Sequence, residues 1–78
     1  MACVNPDGQL TEAARLILSA MEQPVPLSYV ATQTGLPMYR IRSAARELAE
    51  GGFAAEAGGD WQITGVGMAA IRQAASAA

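Results

Sequence analysis

The chain has 78 residues, which is one small domain, and a domain of this size buries only about 60–65% of the surface its unfolded form exposes. Apolar residues make up 51% of it, much of this alanine, and five arginines stand against seven acidic residues for a formal net charge of −2. That balance argues against a surface given over entirely to nucleic acid. With no histidine and a single cysteine, Cys3, no intrachain disulfide, metal cluster or nucleophile–base pair can be assembled, so neither catalysis nor a cofactor is expected.

Residues 1–9 group Asn5, Pro6, Asp7 and Gly8, turn formers without periodicity, and read as a flexible arm. The arm has no basic stretch followed by an apolar one, so no signal peptide is expected. No apolar run approaches the roughly 20 residues that cross a bilayer, and a reducing, cytoplasmic setting is the expectation. The domain proper is read as residues 10–75, with 76–78 as a frayed tail.

A first helix is predicted from Thr11 to Met21. Leu10, Ala14, Ile17 and Met21 recur at helical spacing, Ala13 and Ala20 widen that face, and Thr11 serves as N-cap. Leu16 and Leu18 are counted among the large core anchors. Gln23-Pro24 ends the helix, because proline disfavours a helical residue before it. Pro24-Val25-Pro26-Leu27 is stiff and extended, suited to pairing as one short strand.

Ser28 is read as the N-cap of a second helix, Tyr29 to Thr34, with Val30 inward. Gly35 supplies the left-handed residue that ends it, Leu36 plugs the core, and Pro37 opens a third helix at its first position. The third helix, Pro37 to Gly51, has Ile41, Ala44, Ala45 and Leu48 on one face. Tyr39, Arg42, Ser43, Arg46 and Glu50 fall on the opposite side. Glu47 and Glu50 can offset part of the repulsion between Arg42 and Arg46, which lie one turn apart.

Phe53 to Ala57 and Trp61 to Thr64 read as two strands around the loop Gly58-Gly59-Asp60, with Phe53, Ala55, Trp61 and Ile63 assigned to one face. Thr64 then caps a last helix, Val66 to Ala75, whose stripe is Val66, Ala70, Ile71 and Ala74. The fold class is mainly α with a small β-hairpin: a three-helix core, a two-stranded wing and a C-terminal helix, in the order of a winged helix-turn-helix.

The run PLSYVATQTGLPMYRIRSAARELAEGGF resembles the helix-turn-helix of bacterial transcriptional regulators of the IclR and MarR kinds, and WQIT followed by Gly67 is similar to their wing strand and its glycine. The resemblance spans Leu10 to Ile71. It implies a DNA-binding domain whose third helix enters the major groove, and it places the base-facing positions on Met38, Tyr39, Arg40, Arg42, Ser43 and Arg46. Double-stranded DNA is the implied partner.

The chain departs from the family in its wing, where Glu56 and Asp60 stand without a basic residue, and no effector-binding domain is expected within these 78 residues. Single small modules bind specific DNA weakly, which favours a homodimer through the alanine stripe of the last helix, with the first helix as a further candidate for the contact. The acidic balance favours a second reading, a protein–protein interaction module that uses the same fold without DNA.

Overall fold

A computed structural model of the chain describes residues 10–76. The arm over residues 1–9, Cys3 within it, and the last two residues of the tail lie outside the described residues. Four helices and one two-stranded antiparallel sheet follow in the order α1 (Glu12–Ser19), α2 (Leu27–Thr34), α3 (Met38–Glu50), β1 (Ala54–Ala57), β2 (Asp60–Ile63) and α4 (Gly65–Ser76). Among the described residues, no helix is long and apolar enough to cross a membrane.

Thr11 caps α1 as expected, its hydroxyl accepting the Ala14 N–H at 3.2 Å. The helix turns Ala14, Ile17 and Leu18 inward, and Leu10 and Met21 extend that face beyond its ends. It stops at Ser19, short of the expected Met21, where the Met21 N–H bonds the Leu18 carbonyl in a tightened last turn. Leu16 is not a core anchor. It is 53% exposed, because five neighbours already fill the inward face and Leu16 is rotated about 100° from Ile17.

Between α1 and α2 the chain runs along β2. Val25 and Trp61 exchange backbone hydrogen bonds of 3.0 and 2.7 Å, and the Ile63 N–H donates to the Met21 carbonyl at 2.8 Å. Residues 24–26 are therefore a one-bridge strand, and β2 lies between it and β1; Leu27, expected to extend the strand, is instead the first residue of α2.

Two helix starts differ from the sequence reading. Pro26, not Ser28, occupies the N-cap of α2 in extended conformation, and its carbonyl accepts the Tyr29 N–H at 3.0 Å. Pro37 likewise precedes α3 as its N-cap and is not its first helical residue; its carbonyl accepts from Arg40 and Ile41. A proline in this place has the backbone carbonyl a helix start needs but no side-chain acceptor, so neither cap makes a side-chain hydrogen bond. Gly35 has φ +74° and its N–H closes α2 on the Ala31 carbonyl.

The core forms where α3 lays Ile41, Ala44, Ala45 and Leu48 against α1 and α2, with Val30 and Ile63 completing it. At the end of α3, Gly52 takes φ +82°, Gly52 N–H bonds Ala49, and Phe53 N–H bonds Leu48 at 2.8 Å. This pair of bonds is a Schellman motif, and Phe53 packs on the core near the same helix end, as the motif favours.

Phe53 thus belongs to the helix stop, and β1 begins one residue later than expected. The register Ala54↔Ile63, Glu56↔Trp61 puts Ala54, not Ala55, on the buried face. A shift of one residue exchanges the two faces of a strand, so Ala55 is exposed on the outer one. The loop is two residues, Gly58 and Gly59, both with positive φ as a type I′ hairpin demands, and Asp60 is the first residue of β2.

Thr64 fixes the start of α4. Its hydroxyl accepts the Gly67 N–H at 3.1 Å and donates to the Gly52 carbonyl at 2.6 Å, joining two turns twelve residues apart. Gly67 is buried, and Ala70 and Ile71 pack on the core. Val66, assigned to the apolar stripe, is instead 58% exposed, since α4 begins at Gly65 and turns Gly67 inward. The side chain of Ala74 lies outside the described residues.

Candidate nucleic-acid interface

The outward face of α3 carries a ladder at helical spacing: Tyr39, Arg42, Ser43 and Arg46 stand at i, i+3, i+4 and i+7. All four are exposed, Tyr39 at 74%. Arg42 and Arg46 are about 40° apart around the axis, and Tyr39 to Arg46 spans about 10 Å along it. Four inward residues, Ile41, Ala44, Ala45 and Leu48, hold this face in place by burying the other side of the same helix.

Two of the sequence-predicted positions stand apart from the ladder. Met38 is half-buried and packs against the core, because it lies one turn before Ile41 and shares its inward side. It does not present its side chain with the others. Arg40 is exposed but sits about 160° around the axis from Arg42, on the flank it shares with Glu47.

Among the described residues, Arg40, Arg42 and Arg46 make no ion pair with a carboxylate. Among the described residues, Glu47 and Glu50 therefore do not offset the arginines through ion pairs. Three exposed arginines are able to meet phosphate oxygens or guanine edges, and Tyr39 and Ser43 add hydroxyl donors.

The hairpin contributes the opposite charge. Glu56 and Asp60 are exposed near its tip, and no basic residue lies on either strand. A hollow of about 360 Å³ beside it is lined by Pro24, Ala55, Ala57, Asp60, Gln62, Ile63 and Thr64. It holds one carboxylate and no nucleophile–base pair. No three His, Cys, Asp or Glu side chains gather as metal ligands among the described residues.

No protein-family model, no curated protein and no solved structure matches this chain.

One surface feature escaped the sequence reading. Leu16 projects between two grooves, one of about 300 Å³ between α1 and α4 and one of about 270 Å³ between α1 and α2. Counting the inward face of α1 reveals it: once Ala14, Ile17, Leu18 and Met21 are placed inside, a leucine is left over.

Proposed function

We propose that this domain is a winged helix-turn-helix that binds double-stranded DNA, placing α3 in the major groove as a small cytoplasmic regulator of bacterial transcription. The observation that carries the reading is the ladder Tyr39–Arg42–Ser43–Arg46, exposed on the helix that follows the Gly35 turn and making no ion pair among the described residues. The order of elements supports it: two helices around a tight glycine turn, a hairpin after the second, and a closing helix. Arg42 and Arg46 bind phosphate or guanine, Tyr39 and Ser43 bond the backbone, and Arg40 reaches a phosphate on the other flank. Met38 acts by holding the first turn of α3 against the core. A homodimer, with α4 at the contact, supplies a second half-site.

Fluorescence anisotropy on a labelled duplex at low salt tests this directly. The double variant Arg42→Ala, Arg46→Ala is expected to lose binding with its circular dichroism unchanged. Unchanged affinity removes α3 from the interface.

The acidic hairpin tip favours a second reading, docking to a protein through the same fold. Salt separates the two. Arginine–phosphate contacts weaken steeply as salt rises, and a mainly apolar protein contact does not.

A further inference from the structure

The two edges of the hairpin sheet are not alike. Beyond β2, Val25 and Trp61 exchange backbone hydrogen bonds of 3.0 and 2.7 Å, so that edge is filled by one bridge. Along an antiparallel strand, successive residues turn their N–H and C=O groups to opposite sides. Trp61 turns both groups toward Val25, so its partner in β1, Glu56, turns both of its own away from β2. No strand among the described residues lies there. Ala54, the next residue oriented this way, is buried, which leaves an open edge one bridge long at exposed Glu56.

The surrounding side chains fix what can fill it. Glu56 stands on one face of the hairpin, and Ala55, Ala57, Asp60 and Gln62 share the other. Ala55 and Ala57 are exposed, carry one methyl group each, and line the hollow of about 360 Å³ together with Asp60. A strand added along β1 sends alternate side chains to the two faces. One lies beside the Glu56 carboxylate. Its neighbour lies over Ala57, and Asp60 is two strand spacings away, about 10 Å, which a lysine or arginine stem spans when laid across an alanine. Neither Glu56 nor Asp60 makes an ion pair among the described residues, and no basic residue lies on either strand.

We propose that the β1 edge takes up an extended segment of another protein carrying two adjacent basic residues. The segment runs antiparallel to β1 and exchanges two backbone bonds with Glu56. One basic side chain pairs with Glu56, and the preceding one crosses Ala57 to Asp60. Backbone bonds give the hold and side-chain alternation gives the pattern, as in other strand additions. The inference rests on the protein-docking reading and gives it a surface and a partner. The arginines of α3 repel such a segment and the acidic hairpin repels phosphate, so a duplex and the segment occupy separate surfaces. The contact is transient, with a dissociation constant on the order of 100 µM.

Proton–nitrogen NMR of the full chain, titrated at low salt with the capped peptide Thr-Val-Lys-Lys-Val-Thr, tests this. The amides of Glu56 and Ala57 are expected to shift, that of Glu56 to exchange more slowly, and those of α3 to stay in place. Methylating the backbone nitrogen of the second lysine removes one bond to Glu56 and weakens binding by about tenfold. Thr-Lys-Val-Lys-Val-Thr puts both lysines on one face and weakens it similarly. The double variant Glu56→Lys, Asp60→Lys loses the lysine peptide and takes up Thr-Val-Glu-Glu-Val-Thr in its place.

An absence of shifts at millimolar peptide overturns the inference, as does equal binding of the methylated or respaced peptide. Should the double variant fail to fold, those two peptides carry the test on the wild-type chain. Shifts confined to another face overturn the edge and leave protein docking standing. Failure of the chain to bind duplex changes none of these outcomes.

Discussion

Gly67 approaches Phe53 so closely that a Cβ at this position would overlap the Phe53 carbonyl oxygen, and it would also lie 2.7 Å from Ile63 Cγ1. The contact sets how tightly α4 packs on the start of the hairpin. Helix propensity alone makes Gly67→Ala stabilising by about 1 kcal/mol. Overlap with a backbone atom opposes it by about 1–3 kcal/mol, because neither element can shift without disturbing the core. A lower melting temperature is therefore expected, and a rise would show that α4 is free to move.

Thr64 uses one hydroxyl for two bonds, capping α4 and holding Gly52. Thr64→Val keeps the shape and removes both, for a loss of about 1–2 kcal/mol. In a domain of this size each kcal/mol shifts Tm by about 4–8 °C. Thr64→Ser keeps the hydroxyl and should melt within a few degrees of wild type. Equal losses in the two variants would assign the effect to the methyl group instead.

At Gly35 the space around a new Cβ is open, and only the backbone angle matters. Gly35→Ala is expected to destabilise by about 1 kcal/mol through the positive φ. Gly35→Asn should lose less, since asparagine tolerates that region. Chemical denaturation of the three proteins orders them Gly, Asn, Ala.

The DNA reading makes a quantitative claim on salt. With three arginines per protomer at the interface and none on the hairpin, at most about three phosphates are neutralised by each bound protomer. For each bound protomer, the plot of log binding constant against log salt should then slope at about −2 to −3. Removing Arg42 or Arg46 singly reduces that slope by about 1. A slope near zero that persists in the variants would point to the protein-docking reading.

Much of the fold is legible in the residues. Ile41, Ala44, Ala45 and Leu48 name the buried face of α3, and Gly35 and Gly58-Gly59 mark turns because only a few residues accept positive φ. Thr11 and Thr64 announce caps. The misplacements share one cause: local pattern says nothing of which neighbour takes a residue first. Phe53 alternates well with Ala55, yet the Schellman motif holds it and shifts the strand by one. Pro26 precedes Ser28 and starts α2 before the serine can cap it. Leu16 is as apolar as Leu18, and only the fullness of the core separates them.

On the candidate site, the exposure of Tyr39, Arg42, Ser43 and Arg46 follows from helical periodicity once Ile41 is placed inside. Met38 is displaced from the set by the same periodicity. Ion pairing depends on rotamers and distances that spacing does not carry. The absence of contact between these arginines and Glu47 or Glu50 is therefore visible only in three dimensions.

The bonds from Met21 and Val25 to Ile63 and Trp61 tie the α1–α2 connection to the last strand across more than thirty residues. Neither the connection nor the strand can therefore melt by itself: releasing β2 strips partners from the connection, and loosening the connection strips them from β2. Opening is expected to be all-or-none. In native-state hydrogen exchange, the amides of Val25, Trp61 and Ile63 should then report one common opening free energy, that of whole-molecule unfolding.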